Sequence, residues 1–417
     1  MTAPQRPALL PLDEALARLL AFATPALSPE SVPVGDADGR VLAQNVVSTL
    51  HVPPHDNSYM DGYAVRCADI AGSGVQLCVS QRIPAGSVGA PLQAGTVARI
   101  FTGAPVPEGA DAVVMQEDCQ AVSTGEGAEQ LPQVQINTRP APGQNIRRAG
   151  EDVARGDVVL SRGQRLGPAE LGLAASVGMA SLQVARRPRV ALFSTGDELV
   201  MPGTVAPQDM PPGAIYNSNR FFLRSLLRRM GCVVSDLGIV PDQREATVQA
   251  LREAAQSHDV ILTSGGVSVG EEDHIKPAVQ ALGTLDLWQI AIKPGKPFAH
   301  GRIGEAHFIG LPGNPVSSFV TFLILVRPFL LQLQGARDVG MTTVAARADF
   351  TWAKPDKRRE FMRVRRNAQG GLELFPNQSS AVLTSAVWAD GFVDNPPGCA
   401  IAPGDTVRFV AFSEVLS

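Results

Sequence analysis

Residues 259–273 read DVILTSGGVSVGEED: an apolar strand, a paired glycine, then three carboxylates in a row. A buried strand delivers its C-terminal end to a surface crevice, and open parallel sheets bind ligands at the carboxyl ends of their strands. Gly265 and Gly266 let the backbone approach a ligand closely, and Glu271, Glu272 and Asp273 supply hard oxygen donors where the next helix begins. This order predicts a site for an anionic ligand bridged to the protein by a divalent cation. It reads as half of an enzyme's pocket.

The same alternation continues on both sides. RVALFSTGD (189–197) and CVVSDLGIV (232–240) are strand-like runs, and 219–230, 244–256 and 275–283 carry helical spacing, with Gly231 placed to end the first. LWQIAIKPGKP and HFIGLPGNP supply two more strands, each ending in a Gly/Pro loop. Alternating β and α at this spacing predicts a central three-layer αβα domain over 186–335 with a mainly parallel sheet. The apolar stretch 316–333 is interrupted by Arg327 and Pro328 and follows Asn314 and Pro315, a helix start, so a buried helix rather than a membrane span is expected.

Residues 1–185 read differently. An amphipathic helix over 11–22 precedes short valine-rich runs separated by Gly/Pro turns, which predict β-rich subdomains without fixing their topology; 168–179 is a short closing helix. NSYMDGY (57–63) reads as turn chemistry. Residues 336–417 hold short runs broken by Gly-Gly, Pro-Asn and Pro-Gly, the pattern of a small antiparallel β-barrel.

Composition bounds the function. The 417 residues carry a net charge of -4, with 5% aromatics and no basic tract, so nucleic-acid binding has no electrostatic support. Five widely spaced cysteines without a CxxC argue against a disulfide framework and a thiolate zinc site. The first twenty residues lack the charged-then-apolar pattern of a signal peptide, and a cytoplasmic enzyme is expected.

The candidate chemistry sits in loops after strands: Glu198 after the first, Asp242 after the second, Gly265 to Asp273 after the third, then Lys293, Lys296 and Leu311-Pro-Gly-Asn-Pro315. One such acid alone is most simply a helix N-terminal carboxylate. Acids and lysines together at one rim suit phosphates, with lysine as a point charge and carboxylates holding Mg²⁺. Neither a Walker A loop nor a GxGxxG fingerprint is present. His55, His274 and His300 form no ligand spacing and read as surface or supporting histidines. Ser264, Ser268 and Cys232 have no identifiable activating partner.

The wording of these loops is also familiar. NSYMDGYAVR, RIFTGAPVPEGADAVVMQED, NIRRAGEDV, FSTGDELV, TSGGVSVGEEDHIK, IKPGKP and GLPGNPVSSFVTF, in that order, resemble the molybdopterin molybdenumtransferase family, the bacterial MoeA proteins and the second domain of gephyrin. The resemblance runs over nearly the whole chain. It implies an enzyme that takes adenylylated molybdopterin and molybdate, cleaves the adenylate with Mg²⁺, and releases AMP and the molybdenum cofactor. It also implies a homodimer whose clefts draw on both chains, and contact with the molybdopterin adenylyltransferase that supplies the substrate. The family pattern falls on Asp61, Thr102, Asp273, Lys293 and Lys296 as catalytic residues, and on Glu198, Asp242 and Asp273 around the metal. Gly265, Gly266, Ser268, Arg147, Pro312, Gly313, Asn314, Pro315 and Ser380 fall at substrate-binding positions, with Asp152 beside Arg147. Gln289 stands where several relatives carry a lysine. Two other readings fit the same fold: a non-catalytic scaffold, disfavoured by the retained acids, and a nucleotide pyrophosphatase, disfavoured by the flanking β-rich regions.

Overall fold

The computed structural model describes residues 9–23, 27–122, 132–241, 243–266 and 274–416. Asp242, Ser268, Glu271, Glu272 and Asp273 lie outside them. Helix α1 (Leu12–Ala21) buries Leu12, Ala15 and Leu19, one face at helical spacing, against the central core.

The β-rich region resolves into one sheet of six strands: β1 (Gly62–Val65), β2 (Val75–Ile83), β3 (Thr96–Ile100), β4 (Ala112–Met115), β5 (Cys119–Val122) and β6 (Gln133–Ile136), in the order β4-β1-β3-β2-β6-β5. Small two-stranded sheets accompany it, and Pro29–Pro33 pairs antiparallel with Ser181–Ala185 to bring the chain back after helix α2 (Pro168–Ser176). NSYMDGY proves to be strand as well as turn. Asn57 and Ser58 pair with Arg147 and Ile146, and Gly62 opens β1 between two partners.

The central domain has the predicted three layers. Its sheet contains β7 (Arg189–Thr195), β8 (Val233–Val240), β9 (Val260–Ser264), β10 (Gly283–Gln289), β11 (Pro297–Ile303) and β12 (Ala306–Leu311), in the order β8-β7-β9-β12-β11-β10. The first four in that order run parallel. Helix α3 (Asn219–Arg229) covers one face with α1 and the helix after β12, while α4 (Arg244–Ser257) and α5 (Ile275–Leu282) cover the other. Gly231, at φ +77°, ends α3 as the sequence suggested.

Two differences from the sequence reading lie at the far edge. Strand β11 was hidden by its glycine and histidine; it turns through Gly304 and Glu305 into antiparallel β12, with Ile303 opposite Ala306. The run LWQIAIKPGKP is divided between two sheets: β10 stays central, and Ile292 and Lys293 pair with Arg359 and Glu360 of the C-terminal sheet.

The apolar helix runs Pro315–Leu333 and is 94% buried inside the protein, so it is a core element. It widens to a π segment over Phe322–Val326, one turn before Pro328, whose ring clashes with a regular i−4 carbonyl and which has no N–H to donate. Arg327 is buried within it and donates to the Val339 and Gly340 carbonyls, both at 3.2 Å.

His300 is neither a surface nor a supporting residue. It is buried, stacks on Phe22 with 4.4 Å between ring centroids, and lies 3.4 Å (Nε2 to Nδ1) from His307, whose Nε2 meets Arg302 Nη1 at 2.8 Å. Burial, reinforced by His307 and Arg302, pushes the His300 pKa down to about 3, and burial with Arg302 pushes His307 down to about 4. Below pH 6.5 the unfolded chain takes up protons on both rings that the folded protein refuses. The two residues are therefore without cost above pH 6.5 and withdraw stability as pH falls toward 4, at up to about 1.4 kcal/mol per pH unit each. Melting temperature should fall between pH 6.5 and 5, and His300→Phe, which preserves the stack, should flatten that slope. Equal slopes in calorimetry would contradict the assignment.

The C-terminal region is the predicted barrel. Strands β13 (Val344–Arg347), β14 (Arg359–Arg366), β15 (Leu372–Leu374), β16 (Gly391–Asn395) and β17 (Thr406–Ala411) pair in the circuit β15-β14-β16-β17-β13, and an Ala348–Leu372 bridge returns the chain beyond β13 to β15. That single bridge brings the two ends of the circuit together, as in a small barrel.

Candidate active site

A cleft of about 800 Å³ opens at the carboxyl ends of β7, β9 and β12. Its walls carry Thr195 and Glu198 after β7, Ser264, Gly265 and Gly266 at the end of β9, and Pro312, Gly313, Asn314 and Pro315 after β12. The residues before and at the start of α3, Tyr216, Asn217 and Asn219, complete it. This is the position at which a parallel sheet leaves its strand ends open to a ligand.

The glycines are there because the backbone turns sharply in little space. Gly265 and Gly266 have φ of +95° and +68°, and a Cβ on Gly266 would sit 2.5 Å from Ile275 Cγ1. The Gly265 N–H donates to the Leu311 carbonyl at 3.0 Å, fixing the turn to the neighbouring strand. Gly196, at φ +137°, leaves room for the Glu198 carboxylate to fold over it, since a Cβ there would lie 2.5 Å from Oε2. Glu198 is exposed to the cleft and its carboxylate makes no ion pair among the described residues.

The loop after β12 is anchored from the barrel side. Asn314 occupies the cap position of the following helix, yet its side chain makes no capping bond. The Val316 N–H instead donates to the Ser380 carbonyl at 3.0 Å, and Ala381 lines the cleft. Ser380 thus meets the site through its backbone.

The lysines are placed differently from each other. Lys293 Nζ lies 3.2 Å from Glu360 and 3.7 Å from Asp356, both in the barrel region, and 5.6 Å from the Trp352 ring centroid. Glu360 is buried and also accepts from Trp352 Nε1 at 2.8 Å, so Lys293 completes a fixed polar network. Lys296 is half-buried, makes no ion pair among the described residues, and precedes Pro297 on the cleft wall.

Between the two lysines, Gly295 has φ +107°, and a Cβ there would fall 2.3 Å from the buried Thr321 Oγ1. Gly295→Ala should therefore cost about 2–4 kcal/mol through backbone strain and overpacking. A melting temperature equal to wild type would show that the loop relaxes freely.

The N-terminal candidates form a separate group. Asp61 Oδ1 accepts from both the Thr102 N–H and its hydroxyl, each at 2.8 Å, and the Thr102 N–H bond chiefly holds this carboxyl below its ordinary pKa. Arg147 lies 3.6 Å from Glu151, which also accepts from the Tyr59 hydroxyl. None of Asp61, Thr102, Arg147 or Asp152 lines the cleft. The structure brings together Glu198, the glycine pair and the PGNP loop, with Lys296 alongside; it sets Asp61, Thr102 and Arg147 apart.

No group of three His, Cys, Asp or Glu side chains with metal-binding geometry occurs among the described residues. Mg²⁺ keeps several waters and takes one or two carboxylates plus ligand phosphates, and Glu198, without an ion pair among the described residues, fits such a donor set.

Sequence reasoning missed Asn217 and Asn219. They lie in the polar run YNSN between a short strand and a helix, where asparagine normally signals a cap. In the structure Asn217 Oδ1 accepts the Arg220 N–H at 3.2 Å, while Asn219 reaches across to two other loops. The signal available was two asparagines where one cap suffices.

Comparison with known proteins agrees with this architecture. The sequence matches the MoeA N-terminal region (domain I and II) over residues 10–178, a probable molybdopterin binding domain over 191–332, and the MoeA C-terminal region (domain IV) over 345–412. It is 39% identical to the molybdopterin molybdenumtransferase of Haemophilus influenzae, covering 98% of this chain and 100% of that one. It is 38% identical to molybdopterin molybdenumtransferase 2 of Mycobacterium tuberculosis, covering 91% and 94%. A crystal structure of the molybdopterin biosynthesis MoeA protein of Pyrococcus horikoshii superposes with a TM-score of 0.77 at 31% identity, over 97% of this chain and 99% of that one. With relatives this similar along nearly its entire length, and with the fold and cleft that its own residues build, the chain belongs to the molybdopterin molybdenumtransferase family.

Proposed function

We propose that this chain, a transferase of molybdenum cofactor biosynthesis, acts in the cytoplasm on adenylylated molybdopterin and molybdate, releasing AMP and the molybdenum cofactor. The observation that carries the reading is the cleft itself. A carboxylate without an ion pair among the described residues and two glycine loops meet at the open ends of a parallel sheet, with Lys296 next to the lining residue Pro297. Splitting a phosphoanhydride needs charge neutralised on phosphate oxygens rather than a covalent intermediate. Lys296 supplies a point charge beside the cleft, and the turned backbone at Gly265, Gly266 and Gly313 admits an anion without side-chain obstruction.

Glu198, with Asp242 and Asp273 as proposed co-ligands, would hold Mg²⁺. When bound, the cation supplies charge neutralisation on the phosphate oxygens. Lys293, paired to Glu360 and Asp356, holds the KPGK loop against the barrel and thereby orients Lys296. Asp61, Thr102 and Arg147 act on the cleft of a second copy, a homodimeric arrangement that would give a role to site residues that do not line the cleft of their own chain.

Incubation with adenylylated molybdopterin, molybdate and MgCl₂ tests the proposal. AMP should be released together with a cofactor that reconstitutes a molybdoenzyme apoprotein, and EDTA should stop both. Folded protein that releases no AMP would refute it. Co-expressed Asp61→Asn and Glu198→Gln chains should recover part of the activity in the mixed dimer; no recovery would exclude the shared cleft.

A further inference from the structure

Asn219 is buried, at 8% exposure, on the first turn of α3, and both hydrogens of its amide are committed. Nδ2 donates to Ser264 Oγ at 2.7 Å and to the Gly313 carbonyl at 2.7 Å. Ser264 is the last residue of β9, immediately before the Gly265–Gly266 turn, and Gly313 is the centre of the loop after β12. One side chain therefore ties a helix start to both glycine loops of the cleft. The backbone joins the two strands as far as the Gly265 N–H bond to the Leu311 carbonyl at 3.0 Å; beyond it the loops only touch, an ideal Cβ on Gly313 finding the Gly265 Cα at 3.9 Å, and the Asn219 amide is the side chain that bonds to both. Only a primary amide of this length offers two donors in a fork with no charge. Aspartate has the shape but accepts only, and alanine reaches neither partner.

We propose that Asn219 is the positioning residue of this cleft, setting the spacing of the β9 turn and the PGNP loop so that both face one phosphate-bearing ligand. The inference rests on the nucleotide reading of the site above. It assigns Asn219 no contact with the reacting atoms. Its effect passes through Ser264 and Gly313, and loss of the tether leaves the loops held only by the backbone bond at Gly265, so that the PGNP loop can shift by fractions of an ångström, a scale at which ligand geometry is sensitive.

Titration calorimetry of the full-length protein with AMP and MgCl₂, well below the melting temperature, tests this. Asn219→Asp and Asn219→Ala should each weaken AMP binding by about tenfold or more, and Ser264→Ala, which removes one tether, by about threefold. The double variant Asn219→Ala/Ser264→Ala should bind no worse than Asn219→Ala alone, because both changes cut the same link. Leu251→Ala, a buried α4 substitution on the opposite face of the sheet, should lower the melting temperature and leave AMP affinity unchanged. Folded Asn219 variants that bind AMP within twofold of wild type would overturn the proposal. So would unchanged affinity in Ser264→Ala, should the Asn219 variants fail to fold. Wild-type protein with no AMP affinity would remove the nucleotide reading itself, a distinct failure visible before any variant is made.

Discussion

Glu198→Gln is expected to lower AMP release by about 100-fold while moving the melting temperature by less than about 2 °C. The two halves of that expectation come from the same observation. The carboxylate is exposed at the cleft, lies over Gly196, and has no cationic partner among the described residues. An exposed acid without a partner contributes a few tenths of a kcal/mol to folding at most. In the proposed cation-bound cleft the same acid would be worth several kcal/mol to the reaction, because glutamine preserves its volume but removes the charge that would hold the ion. A helix-capping role would give the opposite pattern, with lost stability and retained turnover. Thermal melts and AMP release measured on one preparation separate the two.

Gly62→Ala should be the most disruptive single-methyl change near any candidate residue. Gly62 sits in β1 between two hydrogen-bonded neighbours, opposite Ile100 on one side and Met115 on the other. A Cβ built on it would stand 1.9 Å from the Val114 carbonyl oxygen and 2.9 Å from its carbon. These are backbone atoms in the middle of a sheet and cannot swing aside as a side-chain tip could. The strand must separate from β4, at a cost of about 3 kcal/mol or more. Because Asp61 precedes it and accepts both Thr102 donors, the change should also disturb that pair. Calorimetry should show a transition lowered by several degrees; an unaltered melt would mean that the strands are less closely apposed than described.

Local signals carried much of this architecture, and their limits have physical causes. Helix α3 was legible because Gly231 can adopt a left-handed terminal conformation, and the helix after β12 because proline at its first position forgoes a hydrogen bond it would not make. The glycine turn after β9 and the PGNP loop were legible because strand, glycine and proline occur in an order that packing alone does not require. The division of LWQIAIKPGKP between two sheets was not legible. A two-residue strand pairing with Arg359 and Glu360 is fixed by contacts some 67 positions away, which no local periodicity records. Strand β11 was missed because His300 and Gly301 depart from the apolar strand pattern, and both are explained only by neighbours: Phe22 against the ring, and the Thr284 carbonyl 2.2 Å from where a Gly301 Cβ would lie. Asn219 escaped for the same reason, since its two partners come from different loops.

In the proposed function, the cleft at the open strand ends binds a nucleotide phosphate together with a divalent cation. Its most direct test is a crystal structure of the protein soaked with AMP and MgCl₂. Density for the phosphate is expected between the Gly265–Gly266 turn and the Pro312-Gly313-Asn314-Pro315 loop, with the Glu198 carboxylate as a ligand of the metal. Nucleotide bound at another surface, with Glu198 turned to solvent and no cation beside it, would contradict it.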